Sequence, residues 1–177
     1  MLGGQDDYYG SSFDQRIHRT HSSSASFARP TVKRLIPPAA SSPSVAAAMR
    51  GNRAKDTGPE LTLRSALWRA GLKGFRKHVG GLPGRPDIIY GKRQTAIFVH
   101  GCFWHSCPRC KIRNPRTNSS YWREKLRRNK IRDRIILREI RRLGWRPLRF
   151  WECEIRASLN VCLAKVRRSL SLSMRSG

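Results

Sequence analysis

Acidic residues are scarce in this sequence. Its 177 residues include 11 Asp and Glu against 37 Lys and Arg, so the formal net charge is +26. A charge this one-sided excludes most cationic partners and favours a polyanion. Because Trp, Tyr and Phe are interleaved with the basic residues, nucleic acid is favoured over a membrane surface. Long apolar runs are also missing, since none approaches the roughly 18 residues needed to span a bilayer, so no membrane partner is expected.

Cysteines are few, odd in number and clustered. Three of the five lie between Cys102 and Cys110, which fits a metal site in a reducing compartment better than disulfides. Cys107 and Cys110 form a C-x-x-C pair, whose spacing lets two thiolates bind one tetrahedral zinc ion. Cys102 and Cys153 would complete a closed, structural Zn²⁺ site. Free thiols or a redox pair are the alternatives, and His105 is a candidate replacement for one cysteine.

The first 45 residues differ from the rest in composition. They are rich in Ser, Ala and Pro and contain five Lys or Arg and three Asp, so nearly all of the net charge lies in residues 46–177. Their low apolar content predicts a disordered extension. Residues 46–177 are then expected to form one domain.

The hydrophobic pattern of that domain predicts an α/β fold with a central mixed β-sheet flanked by helices. The sequence Thr57-Gly58-Pro59-Glu60 predicts a capping box and Gly71 a helix end. On the long second helix, Asn129 and Asp133 fall on the inward stripe. Pro147 predicts an edge or bulged strand, and Cys162 lies on the apolar face of the last helix, where a core thiol is expected. Strands are predicted at residues 75–79, 87–90, 95–99 and 145–151, and helices at 57–70, 119–143 and 158–170.

Candidate chemistry is concentrated directly after the predicted strand 95–99. Loops that follow rigid strands often carry functional side chains, and this one begins with His100 and includes His105. Imidazole titrates near neutrality and is suited to acid–base chemistry. Asp87 opens the neighbouring strand, which suggests a metal site at the edge of the sheet, although an Asp after Pro is also a common turn residue.

These residues carry a resemblance to a known family. Residues 99–105, with the sequence VHGCFWH, resemble the active-site segment of the very-short-patch repair endonucleases, bacterial enzymes that nick DNA at T:G mismatches. Further matches to the family occur before and after this segment, in the same order as in the family. They lie at residues 56–60, 82–87, 121–133 and 144–153. The resemblance covers about residues 46–157.

The resemblance implies a restriction-endonuclease-like fold and a Mg²⁺-dependent reaction. The (D/E)-x-K element of that fold is replaced here by Val99-His100-Gly101, as it is in the family. Asp87 and the backbone carbonyl of Val99 would bind Mg²⁺, and His100 and His105 would be the acid–base pair. Asp133 would orient one histidine. Glu60 would act as an outer-shell carboxylate, a role that competes with its capping role.

The resemblance also implies a DNA interface. Phe103, Trp104 and Trp122 would wedge into the base stack beside the mismatch, with burial in the core as the alternative. Lys125 and Asn129 match residues that read the mismatch, and Met49 lies in the matching N-terminal segment. The implied partner is double-stranded DNA with a T:G mismatch, bound by a monomer in the bacterial cytoplasm in association with the nucleoid. A mismatch-repair protein is a further candidate partner.

Three other functions fit parts of the pattern. A zinc-bearing DNA-binding module would use the cysteines and the charge without catalysis. A restriction-type nuclease would lack mismatch preference and would cut both strands of a paired duplex. A ribosomal-type RNA-binding protein would have the charge without the histidine and cysteine loop.

Overall fold

The computed structural model describes residues 35–40, 42–51 and 55–172. Most of the segment predicted to be disordered lies outside this part. Helix α1 spans Pro43–Gly51, so it begins close to the predicted boundary at about residue 45. The helix contains the run Ala46-Ala47-Ala48, and alanine has the highest helix propensity.

The centre of the domain is a four-stranded mixed sheet in the order β1-β2-β3-β4. β1 spans Arg76–Lys77, β2 Ile88–Tyr90, β3 Thr95–His100 and β4 Arg146–Trp151. β1, β2 and β3 pair antiparallel, whereas β3 and β4 pair parallel. A parallel pair requires a long crossover, which helix α3, Ser119–Arg142, provides. The predicted mixed α/β sheet is confirmed, as is the edge position of the strand that contains Pro147.

Three further helices complete the fold around the sheet. They are α2 at Gly58–Arg69, α4 at Glu152–Ala157 and α5 at Leu159–Leu172. α2 and α5 cover one face, and the core there includes Leu63, Leu67, Ile88, Ile97, Phe150, Cys162 and Val166. Successive residues of a strand face opposite sides, so His100 lies on the other face, next to Asp133 of α3. No helix within the described ranges combines the length and apolar character that crossing a bilayer requires.

The start of α2 differs from the predicted capping box. The Thr57 hydroxyl donates to Glu60 Oε1 at 2.7 Å, and the Asp56 amide donates to Glu60 Oε2 at 3.0 Å. The hydroxyl therefore does not accept a hydrogen bond from a helix amide. A hydroxyl bonded to an ionised carboxylate forms a charge-assisted hydrogen bond, which favours the observed arrangement.

Candidate active site and cysteine cluster

Two histidines and one aspartate converge at the end of β3. His100 is the last residue of that strand, and its ring stacks on the ring of His105 with centroids 3.9 Å apart. Asp133 reaches the pair from α3. Its Oδ2 lies 2.5 Å from His105 Nδ1 and 4.0 Å from His100 Nδ1. The carboxylate thus fixes the orientation of His105 through its Nδ1 atom and leaves Nε2 for other contacts.

The electrostatics of this group keep His100 neutral. Burial, followed by the charge of His105, lowers the pKa of His100 to about 3. Burial opposes ionisation of Asp133, but the hydrogen bond from His105 and the nearby charges outweigh it and hold the Asp133 pKa below its ordinary value. At pH 7 the His100 imidazole is therefore neutral, and it stacks on a second imidazole that Asp133 orients.

Asp87 is tied to the same end of β3. Its Oδ2 accepts a hydrogen bond of 2.7 Å from the amide of Val99, the residue before His100, and its own amide donates to the carbonyl of Ile97 at 3.0 Å. Burial raises the pKa of Asp87 to about 6, and the negative charge of Glu60 adds to the effect. Asp87 offers a carboxylate, the type of ligand that binds Mg²⁺, but it does not belong to any of the groups of three or more clustered His, Cys, Asp and Glu side chains in the described residues.

Four cysteines form a second cluster close to the end of β3. The sulfur atoms of Cys102, Cys107, Cys110 and Cys153 all lie within 4.8 Å of one another, and none is in a disulfide. Cys107 Sγ and Cys153 Sγ are 3.7 Å apart. Zinc–sulfur bonds of about 2.3 Å in a tetrahedron separate the sulfurs by about 3.8 Å, so the cluster is compatible with zinc. Cys162 lies in the main core, and its prediction as a core thiol is confirmed.

Phe103, Trp104 and Trp122 form an aromatic cluster between the loop after β3 and the first turn of α3. Their ring centroids are 5.1 to 5.9 Å apart. All three are partly exposed and belong to neither buried cluster described above. An exposed aromatic group of this kind can stack on nucleic-acid bases.

The other residues predicted to contact DNA are Asn129, Lys125 and Met49, and they lie outside the aromatic cluster. Asn129 is buried, and its Nδ2 donates to the carbonyl of Trp104 at 2.9 Å, so its amide supports the loop instead of facing solvent. Lys125 is half-buried on the same helix. Met49 lies on α1, and its side chain is outside the described part of the protein.

The sequence reasoning missed Trp151 as part of the site. Its ring makes an edge contact with His100 at 5.5 Å and packs against Cys102 and Cys107. It therefore joins the histidine pair to the cysteine cluster. The sequence held one signal for this contact. His100 and Trp151 are the last residues of the parallel strands β3 and β4, and they pair in register.

Comparisons with known proteins found a matching family model and several similar nicking enzymes. A family model described as DNA mismatch endonuclease Vsr matches residues 42–111. The DNA mismatch endonuclease Vsr of Escherichia coli is 41% identical over 61% of this chain and 69% of its own length. The type II nicking enzyme V.XorIIP of Xanthomonas oryzae is 38% identical over 71% of this chain and 90% of its own. V.NaeI of Lentzea aerocolonigenes, also a type II nicking enzyme, is 46% identical over 60% and 66%.

Proposed function

The chain belongs to the Vsr family of DNA mismatch endonucleases, and from that premise we propose that it nicks one DNA strand at T:G mismatches with Mg²⁺ as cofactor. Such mismatches arise when 5-methylcytosine deaminates, so the reaction serves DNA repair. The observation that carries the proposal is the convergence of His100, His105 and Asp133 at the strand end to which Asp87 is hydrogen-bonded.

The metal site uses the two neighbouring strands. The Asp87 carboxylate and the Val99 carbonyl would hold Mg²⁺, with Glu60 in its outer shell. When bound, the ion supplies charge neutralisation at the phosphate and an activated water. We also assign a restriction-endonuclease-like fold. The basis is the position of Asp87 at the start of one strand and of a histidine at the end of the neighbouring strand.

The histidine pair moves the protons. His100 is buried and stacks on His105 at the end of β3, and we assign it to accept a proton from the attacking water. His105 presents Nε2 because Asp133 holds its Nδ1, and we assign it to the leaving oxygen. An Asp that orients a histidine in this way also keeps it in one tautomer.

Mismatch preference is assigned to the aromatic cluster. Insertion of Phe103, Trp104 and Trp122 beside a base pair requires unstacking, which costs a few kcal/mol and least at a mismatch. A T:G pair therefore lowers the cost of the bound state. Lys125 lies on the same side of α3 as Trp122, where it can contribute to reading the mismatch, whereas Asn129 supports the loop that carries Trp104.

The cysteine cluster is assigned to one structural Zn²⁺. Three of its ligands lie in the loop that carries His105 and the aromatic cluster, and Cys153 lies in α4. The ion would join this loop to the end of β4 and hold it in place without taking part in the reaction.

We further propose that the chain works as a monomer on the bacterial chromosome. One site cuts one strand, so a nick does not require a second copy of the site. Because a nick alone leaves the mismatch in place, other repair proteins must remove and resynthesise the strand.

A strand-specific nicking assay tests the proposed function. Duplexes labelled on either strand and containing T:G or C:G at one position would be incubated with the full chain, with and without Mg²⁺. We expect one strand of the T:G duplex to be cut only with Mg²⁺. Equal cutting of the C:G duplex on both strands would indicate a restriction-type nuclease. Tight binding without cutting would indicate a DNA-binding module.

A further inference from the structure

A second group of charged side chains lies at the start of α2, beside Asp87. Asp56 is ion-paired with Arg64 and lies 3.1 Å from His78, measured from Oδ1 to Nε2. Arg64 Nη1 lies 3.3 Å from the same Nε2 atom. We call Asp56, Glu60, Arg64 and His78 the α2 network.

The α2 network already contains its own cation. Ligand atoms of Asp56, Glu60 and His78 lie within 4.8 Å of one another, a spacing that a metal ion can bridge. The guanidinium of Arg64, however, is buried against Asp56 and His78 and neutralises this charge. A metal ion would have to displace a buried, permanently charged side chain. The geometry therefore favours a structural network over another metal site.

The network fixes both oxygens of Glu60. Oε2 accepts a hydrogen bond from the Asp56 amide and Oε1 accepts one from the Thr57 hydroxyl. The Asp56 amide points at Glu60 because the backbone of Asp56 is left-handed, with φ of 54°. Non-glycine residues adopt this conformation only at a cost in energy. The ion pair with Arg64 holds Asp56 in it.

The proposed function gives Glu60 a role at the metal site. Its side chain is 3% exposed, and it is the carboxylate assigned to the outer shell of Mg²⁺. A change in the position of Glu60 would therefore change a partner of the ion.

We propose that Arg64 is a positioning residue for the metal site, because it holds Asp56 in the conformation that fixes Glu60, the carboxylate assigned to the outer shell of Mg²⁺. The inference rests on the proposed function, since it gives the buried network a role in Mg²⁺ affinity. Arg64 touches neither the substrate nor the reacting atoms. A purely structural role would make it only an anchor for the start of α2.

A double-mutant cycle separates these roles. Single-turnover nicking of a T:G duplex would be measured against Mg²⁺ concentration for the full chain and for Arg64→Lys, Glu60→Gln and the double variant. Lysine keeps the charge but lacks the planar fork that reaches both Asp56 and His78. We expect Arg64→Lys to raise the Mg²⁺ concentration for half-maximal nicking by roughly 10-fold to 100-fold, the usual effect of losing an outer-shell partner. The rate at saturating Mg²⁺ should stay close to that of the wild type.

The double variant distinguishes a positioning role of Arg64 from a purely structural one. If Arg64 acts through Glu60, then Arg64→Lys should add little in the Glu60→Gln background. Arg69→Lys, an exposed position on the same helix, is the control and should match the wild type. An equal shift in both backgrounds, or a lower rate at every Mg²⁺ concentration together with a lower melting temperature, would overturn the proposal.

A titration with Mn²⁺ alone keeps the inference separate from the proposed function. Calorimetry would identify the binding event that is present in the wild type and lost in Asp87→Ala. Arg64→Lys should weaken that event by the same factor as in the nicking assay, even if the preferred DNA substrate is not a T:G duplex. Unchanged Mn²⁺ affinity in Arg64→Lys would contradict the proposal.

Discussion

His100 is a buried polar residue with an unsatisfied atom. Its side chain is 6% exposed, and its Nδ1 has no hydrogen-bond partner within the described part of the chain. An unsatisfied buried polar group costs about 1–3 kcal/mol. A protein keeps such a group where it has a function, and its stacking on His105 places it in the proposed reaction.

Replacement of His100 tests that role. We expect His100→Ala to slow single-turnover nicking by roughly 10²-fold to 10⁴-fold, the typical effect of losing an acid–base group. Binding of the T:G duplex in Ca²⁺ should change little, because the basic surface supplies most of the affinity. A rate within a few-fold of the wild type would show that another group moves the proton.

Residue identities at the site were predictable from the sequence, but several contacts were not. A strand followed by two histidines indicates chemistry there, whereas the assignment of Asp133 to His105 depends on which way α3 faces. The burial of Asn129 against Trp104 also depends on tertiary packing. The pairing of Arg64 with Asp56 and His78 joins residues on α2 to the segment after β1, and no local pattern encodes it.

Among the elements, the loop after β3 contains residues assigned to zinc binding, to catalysis and to mismatch preference. It contains three of the four clustered cysteines, His105 and two aromatic residues, and it is attached to α3 through Asn129. A loop without regular structure needs such attachments to hold catalytic side chains in place. Loss of the proposed zinc site should therefore reduce both folding and catalysis.

Replacement of the cysteine on α4 tests the zinc site. We expect the purified wild type to contain about one zinc per chain and Cys153→Ala to lose it, with a lower melting temperature, because three ligands leave the closed site incomplete. Elemental analysis and thermal unfolding measure both effects. Cys162→Ala, which alters a core thiol outside the cluster, should keep its zinc. Unchanged metal content in Cys153→Ala would refute the ligand assignment.

The aromatic cluster is tested by its effect on discrimination. Trp104→Ala and Trp122→Ala should slow nicking at T:G sites and bring it closer to the rate on paired duplex, because less stacking surface remains to stabilise the opened step. Non-specific binding should persist. Trp68→Ala removes a tryptophan that is 58% exposed on α2 and should behave like the wild type. Full discrimination in both cluster variants would assign these aromatics to packing.

The strands and long helices of the fold followed from the sequence, whereas its shortest elements did not. The β2–β3 hairpin and α3 have strong hydrophobic patterns, and both formed close to the predicted limits. β1 covers two residues of a predicted five because the backbone turns left-handed at His78. The six-residue α4 is too short for a periodic signal.

Across the whole molecule, binding and chemistry are carried by different groups. The chain carries a formal net charge of +26, which attracts the phosphates of DNA, and such binding depends on salt and not on base sequence. The buried residues at the strand ends contribute little to that attraction. Removal of one carboxylate should therefore stop the reaction without loss of the complex.

Single-turnover nicking of a T:G duplex by Asp87→Ala, with binding measured in Ca²⁺, is the most direct test of this account. We expect no detectable Mg²⁺-dependent nicking and an affinity equal to or above that of the wild type, since a negative charge near the phosphate is lost. Glu139→Ala, which removes a carboxylate paired with Arg142 on α3, should keep the wild-type rate. Wild-type nicking by Asp87→Ala would contradict the account and place the metal site elsewhere.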